Sequence, residues 1–286
     1  MEQLSFYKYS GHGNDFVIID NWEGHVPESD LARKARLLAR PKFGIGADGV
    51  VYIAAGPDDV DFAVRFFNAD GSEADMCGNA SRCAAHLAYT LSIAGSEMTF
   101  HTNAGAITAE VSNSQVRVSL PVTGRGEGVA MVEVDGFNQT YHRINTGVSH
   151  AVAWVSDLES VNVLKVGRAV RRHVSFHPGA NVDFVQILGD GAIAVRTYEK
   201  GVEDETLACG TGCTAAALLS ARNGHVRGNR IVCKTRGGED LIVRWDGDPA
   251  SPSAVYLEGP VRYVFSGQTG PDVLKVTRRS QGQAGS

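Results

Sequence analysis

Ala74-Asp75-Met76-Cys77-Gly78-Asn79-Ala80-Ser81-Arg82-Cys83-Ala84-Ala85-His86-Leu87 can be laid over Thr206-Leu207-Ala208-Cys209-Gly210-Thr211-Gly212-Cys213-Thr214-Ala215-Ala216-Ala217-Leu218-Leu219 at a spacing of 132 residues. In both stretches Cys-Gly precedes a polar residue, two or three small residues and an Ala-rich apolar run. The likeness extends upstream, where Val64-Arg65-Phe66-Phe67-Asn68 resembles Val195-Arg196-Thr197-Tyr198-Glu199 at a spacing of 131. The second loop therefore carries one more residue. Two Ala-rich helices can look alike by chance, but flanks shared on both sides favour an internal duplication. Each copy reads as a strand, an acidic Gly-containing loop, a cysteine and a helix. The helices are expected to stop at Gly95 and Gly224, with glycine just past the last turn.

Outward from this repeat, segments 4–9 and 16–20 read as strands, and 30–38 as a helix ended by Pro41. Strands are expected at 50–53 and 62–67, and a meander at 98–101, 105–111 and 115–120. Pro121 to Gly128 is Gly-rich and polar, the best boundary between two units. Beyond it, strands are expected at 129–134, 139–144, 151–155, 182–187 and 192–198, then the helix after Cys209, and a last strand at 261–265. Residues 277–286, small and polar, read as a disordered tail.

The 286 residues allow about two domains at roughly 150 residues each. With 27 Lys+Arg against 32 Asp+Glu the net charge is −5, which argues against a nucleic-acid or anionic-membrane partner. Arg168-Ala169-Val170-Arg171-Arg172-His173 accordingly reads as a solvated helix face. No run nears the roughly 18 apolar residues of a membrane span, and residues 1–10 carry no apolar signal core. A cytoplasmic protein is expected. Cys77, Cys83, Cys209, Cys213 and Cys233 are too scattered for a disulfide scaffold and lack the paired spacing of a zinc site. No metal is expected. Gly44-Ile45-Gly46-Ala47-Asp48-Gly49 has dinucleotide-loop spacing, but strand-like Val50-Val51-Tyr52-Ile53 follows it where a helix is required.

Two of the cysteines carry more meaning. Cys77 and Cys209 each immediately precede a helix, where free N–H groups and the positive dipole end favour an anion. A thiol placed there is expected to have a lowered pKa, and the same amides can hold a carboxylate. Approximate two-fold symmetry would bring both thiols to one cleft. One thiolate could then take a proton from one face of a carbon while the other thiol delivers one to the opposite face. The hypothesis is a two-base racemase or epimerase. Preorganised donors at two opposed helix starts would stabilise the developing negative charge, so no cofactor is expected.

At these residues the chain resembles the diaminopimelate epimerase family, from Lys8 to about Gly267. Gly11-His12-Gly13-Asn14-Asp15-Phe16 resembles the opening motif, and Phe66-Phe67-Asn68-Ala69-Asp70-Gly71-Ser72-Glu73 leading to Cys77-Gly78-Asn79 the first cysteine motif. Gly179-Ala180-Asn181-Val182-Asp183-Phe184-Val185 resembles a further substrate-binding stretch. Tyr198-Glu199-Lys200-Gly201-Val202-Glu203-Asp204-Glu205-Thr206 leading to Cys209-Gly210-Thr211-Gly212 resembles the second cysteine motif. The resemblance implies that Cys77 and Cys209 are the acid/base thiols and that Asn14, Asn68 and Asn181 bind the substrate through side-chain amides. It also implies that Gly78-Asn79 and Gly210-Thr211 hold the reacting carboxylate and that Glu199 and Lys200 surround the charged groups. His150 and Glu199 correspond to the pair thought to tune the thiols.

The implied fold is α+β: two pseudo-symmetric domains, each a mainly antiparallel sheet wrapped around a central helix, with the active site in the cleft between them. Their expected bounds are 1–121 and 122–260, with 261–266 returning to the first. The implied activity is interconversion of LL- and meso-2,6-diaminopimelate in lysine and peptidoglycan precursor synthesis, by a homodimer acting on a small-molecule amino acid. Several positions depart from the commonest pattern: Val148 and Ser149 in Gly147-Val148-Ser149-His150, Lys200 where Arg is frequent, Gly49 where some members place Gln, and Ala80 after Asn79. Lys lacks the two-pronged planar fork of Arg. These changes bear on substrate choice more than on chemistry. A two-thiol racemase of another amino acid such as histidine or proline is the alternative. A related isomerase without the thiol pair, or a non-catalytic binding protein, fits the two Cys-Gly motifs less well.

Overall fold

Phe62, Val64 and Phe66 alternate with Ala63 and Arg65, and only the first set is buried, the period-two signature of a half-buried strand. In the computed structural model, which describes residues 3–122 and 126–275, such strands and two α-helices follow one another in the same order twice. The first series is β1 (Ser5–Gly11), β2 (Asn14–Asp20), α1 (Glu28–Ala39), β3 (Gly49–Ala54), β4 (Phe62–Asn68), β5 (Glu73–Ala74), α2 (Gly78–Thr90), β6 (Glu97–Thr102), β7 (Gly105–Ser112) and β8 (Gln115–Ser119). Then comes β9 (Gly126–Val134). The second series is β10 (Phe137–Asn145), β11 (Ser149–Trp154), α3 (Val163–Arg171), β12 (Asn181–Gly189), β13 (Ala192–Glu199), β14 (Asp204–Thr206), α4 (Gly210–Arg222), β15 (Arg230–Thr235), β16 (Asp240–Asp248) and β17 (Ser251–Pro260), closed by β18 (Arg262–Gln268). The expected boundary segment lies partly, and the expected tail 277–286 wholly, outside the described residues.

Pairing repeats along with order. β2–β3 and β4–β6 are parallel, as are β11–β12 and β13–β15. The other pairings among the described residues are antiparallel. This gives the α+β architecture of two like halves that the sequence implies. The halves also exchange an edge strand. β9 pairs with β10, and β18 pairs in the same antiparallel sense with β1. β8 and β17 pair with each other, making one continuous 18-stranded sheet.

The four helices divide into two kinds. In α3 the buried residues Val163, Val166, Gly167 and Val170 recur at three and four positions, one apolar stripe. Gly167 is obligatory there, because a Cβ would lie 2.4 Å from the Tyr198 Cβ of β13. α1 and α3 cover the sheet through separate apolar clusters. α2 and α4, rich in Ala and buried on most faces, share the central core.

One expected helix end is corrected. α2 stops at Thr90, well before Gly95. Ser92 takes the left-handed conformation at φ +59, and Ile93 N–H bonds to Ala88 O at 2.9 Å. α4 stops at Arg222, Gly224 has φ +73, and His225 N–H bonds to Ser220 O at 2.8 Å. Both caps keep the 132-residue spacing. Serine masks the first because glycine, which enters this conformation without strain, is absent from it.

Candidate active site

Cys77 and Cys209 are the N-cap residues of α2 and α4, both with extended backbone. All five cysteines are free thiols. The Cys209 sulfur accepts from Gly212 N–H at 3.4 Å and lies 3.5 Å from Thr211 Oγ1. A Cβ on Gly78 would lie 3.0 Å from Leu257 Cδ2, and one on Gly210 2.7 Å from the same carbon. The two helices therefore begin against one methyl group. Leu257 belongs to β17 and pairs with Val118 of β8, so the joint between the halves is the floor on which the helix starts converge.

A buried acid network surrounds Cys209. His150, on β11, bonds through Nδ1 to Asp183 Oδ2 of β12 at 2.7 Å, and both side chains are fully buried. Thr197 of β13 donates to Asp183 Oδ1 at 2.7 Å. Asn181 Nδ2 lies 3.5 Å from His150 Nε2, while Asn181 Oδ1 accepts from Lys200 N–H at 2.8 Å. Thr206 donates to Glu199 Oε1 at 2.6 Å, and Glu199 also shares a hydrogen bond with Cys209. Parallel pairing of β11 and β12 puts His150 opposite Asn181, which is why residues 31 apart in sequence meet.

The Cys77 side is built differently. Asn79 Nδ2 donates to Asn14 Oδ1 at 2.7 Å, and Asn14 Nδ2 donates to Asp48 at 3.1 Å. Arg82, fully buried, donates to Asn79 Oδ1 at 2.8 Å and to His12 Nδ1 at 3.0 Å. His12 Nε2 lies 3.0 Å from Asp240 O, which fixes its proton on Nε2. Burial and the nearby Arg82 charge push His12 down to about 4.

The lowering of both thiol pKa values that the helix starts predict does not occur. Burial raises Cys77, although the amides of Ala80 and Asn79 and the charge of Arg82 act against it. Cys209 is raised well above the ordinary thiol range by burial, then by the charges of Glu199 and Asp183. Burial also raises Glu199, against hydrogen bonds from Thr206 and Cys209. Desolvation of these groups exceeds the favourable pull of the helix amides.

Of the residues singled out in the sequence, Cys77, Gly78, Asn79 and Asn14 share one side, and Cys209, Gly210, Thr211, His150, Asn181 and Glu199 the other. Asn68 and Lys200 are exposed, and Asn68 donates to Ser72 Oγ at 3.0 Å. Val148 is half-exposed, whereas Ala80 lies in the core. A Cβ on Gly49 would stand 2.9 Å from Phe67 O, leaving no room for a larger residue without movement. Asp183, Thr197, Arg82 and His12 were not singled out. A charged residue inside Val182-Asp183-Phe184-Val185, otherwise a fully buried run, was the available signal for the first.

A family model described as Diaminopimelate epimerase matches residues 6–124 and 143–264. A diaminopimelate epimerase of Aquifex aeolicus (strain VF5) is 43% identical over 283 residues, covering 95% of this chain and 100% of the relative. One of Hydrogenobaculum sp. (strain Y04AAS1) is 40% identical, covering 93% and 99%. Among solved structures, a PhzF-family phenazine biosynthesis protein of Bacillus anthracis superposes with TM-score 0.73 at 13% identity, covering 94% of this chain and 99% of that one. A hydroxyproline epimerase of Agrobacterium vitis gives 0.68 at 17% identity, covering 94% and 93%. At such identities these two structures share the fold.

Proposed function

Since the chain belongs to the diaminopimelate epimerase family, we propose that it interconverts the LL and meso forms of 2,6-diaminopimelate without a cofactor. Cys77 and Cys209 act as the two bases. In one direction a thiolate takes the Cα proton: the C–H bond breaks, an S–H bond forms, and the electron pair spreads into the carboxylate. The opposite thiol then gives its proton to the other face, and the centre is inverted. The N–H groups of Gly78-Asn79 and Gly210-Thr211 face the carboxylate and lower the cost of its added charge in a dry site.

The observation that carries this reading is the convergence of two cysteine-capped helix starts on Leu257. Asn14, Asn68 and Asn181 bind polar groups of the substrate, and Glu199 and Lys200 sit around its charged ends. His150, held by Asp183, and Glu199 set the protonation of Cys209. Each of the two units, 1–121 joined by 261–266 and 122–260, contributes one thiol. The protein works in the cytoplasm as a homodimer, supplying lysine and peptidoglycan precursor synthesis. Among the described residues no helix is long and apolar enough to cross a membrane.

The test is exchange of the substrate α-hydrogen in deuterated water across a panel of amino acids. Diaminopimelate is expected to exchange and epimerise, and turnover of histidine or proline in its place would overturn the substrate. Cys77→Ala and Cys209→Ala are each expected to lower kcat by roughly 10³-fold or more. Intact epimerisation in either variant would overturn the two-base chemistry.

A further inference from the structure

The two helix starts are alike in backbone and unlike in charge. At the fifth position after each N-cap cysteine the repeat places Arg82 in α2 and Thr214 in α4. Both are fully buried and both turn back on the first helical carbonyl: Arg82 Nη1 to Gly78 O at 3.3 Å, Thr214 Oγ1 to Gly210 O at 2.9 Å. Arg82 brings a cation where Thr214 brings none. Around Cys209 stand the carboxylates Asp183 and Glu199. Their counterparts on the first-half strands are Val51, by pairing with Phe66, and Asn68.

The surroundings of Arg82 sharpen the contrast. Its bonds run to Gly78 O, Asn79 Oδ1 and His12 Nδ1, all neutral acceptors, and no carboxylate bonds to it among the described residues. Its Nε has no hydrogen-bond partner. A buried cation without a countercharge is costly, and burial lowers Arg82 to about 10. The titratable groups that bear on it are Cys77 and Cys83 of its own helix, Cys213 of α4, Glu239 before β16 and His12. Glu239 is already bonded to Arg262, Cys83 is pushed up to about 12, and Cys213 is raised well above the ordinary range. His12 is neutral above about pH 4. Of the thiols among them, Cys77 alone is part-exposed at the helix start. Besides Arg82, Glu199 and Cys83 act on it electrostatically.

We propose that Arg82 is a positioning residue whose buried, carboxylate-free guanidinium holds Cys77 as the thiolate of the pair, so that the resting proton resides on Cys209. This deepens the two-thiol reading and rests on it. In the direction that this resting form serves, the Cys77 thiolate receives the Cα proton, Cys209 gives its own to the opposite face, and one turnover is complete. The enzyme then carries the proton on Cys77, and the reverse transfer or exchange with solvent restores the resting form. Arg82 thereby makes the two directions start from unequal populations of free enzyme.

The test uses the full chain without substrate, so it can fail independently of the proposed activity. Alkylation by iodoacetamide is followed against pH, with each cysteine quantified by peptide mass spectrometry. Midpoints are compared because they do not depend on access. Wild-type Cys77 is expected to have the lower midpoint, and Arg82→Met to raise it by roughly one pH unit. Arg82→Lys restores the wild-type value, and Cys209 is shifted less by either change. A lower midpoint for Cys209 than for Cys77 in the wild type overturns the proposal, even if Arg82→Met does not fold. So does an Arg82→Met protein whose Cys77 midpoint is unmoved. A substrate panel without diaminopimelate turnover, alongside the expected midpoints, would reject the substrate and leave the proton assignment standing.

Discussion

His12 shows how burial turns one side chain into a pH-dependent contributor to stability. Its folded pKa of about 4 lies below the ordinary 6.5, so between these values the unfolded chain binds the proton and the folded one does not. The neutral ring's contribution is complete above pH 6.5 and disappears as pH falls toward 4, an effect of about 3 kcal/mol. Urea denaturation at pH 7 and pH 4.5 should show this loss in the wild type and a smaller one in His12→Gln. Equal losses would mean that other groups carry the acid sensitivity. Asp183 makes a second case, because it accepts from both His150 and Thr197 inside the core. Asp183→Ala strands two buried donors and should cost about 3 kcal/mol, read as a lower urea midpoint at an unchanged denaturant slope. Cysteine, glycine and helix start were legible at Cys77 and Cys209 because adjacency in sequence is adjacency in space there. Arg82 and His12 were not legible as partners, since 70 residues separate them and only the fold brings them to 3.0 Å.

At the scale of elements, the matched caps of α2 and α4 allow a paired experiment. Ser92 is held at φ +59 and Gly224 at φ +73 in equivalent turns. Side chains with a Cβ pay about 1–2 kcal/mol in this conformation, offset in part by glycine's freedom in the unfolded chain. Ser92→Gly should therefore stabilise and Gly224→Ala destabilise, each by about 1 kcal/mol, or roughly 1–2 °C in Tm. Changes of the same sign would show that the caps are not equivalent. Differential scanning calorimetry reads both. Most strands of the first series were visible from alternation. β15 to β17 were not assigned, although Ile231 and Cys233, Leu241, Val243 and Trp245, and Val255 and Leu257 alternate buried with less buried neighbours. Val232 in β15, Ile242 in β16 and Ala254 in β17 occupy less buried positions beside these, so apolar residues on both faces blur the alternation. Hydropathy placed α1, α2 and α4, whereas of α3 only residues 168–173 were read, as a solvated face, although Val170 is buried with Val163 and Val166. Nor could it say that β17 would meet β8 beneath both thiols.

For the whole molecule, the repeat and the strand exchange make two connections equivalent: β8 to β9, and β17 to β18. Each leads from the end of one half to an edge strand of the other. The first and last described segments meet at that same edge. Ser5 pairs with Gln268, Leu4 N–H bonds to Thr269 Oγ1 at 3.0 Å, and Thr269 N–H bonds to Leu4 O at 2.9 Å. Either connection could therefore be cut provided the other end is joined. A circular permutant opened between Val122 and Gly126, with Lys275 linked to Gln3 through about 12 Gly/Ser residues, should fold with the same far-ultraviolet spectrum. Leu274 must be kept, because it packs in the core beside α1 and its carbonyl accepts from Arg33 at 3.2 Å. The permutant should unfold in one cooperative transition and retain epimerisation, because both helix starts still rest on the unbroken β8–β17 joint. Two separate transitions, or a soluble folded permutant without activity, would show that the covalent β8 to β9 link sets the relation between the halves and that strand pairing alone does not.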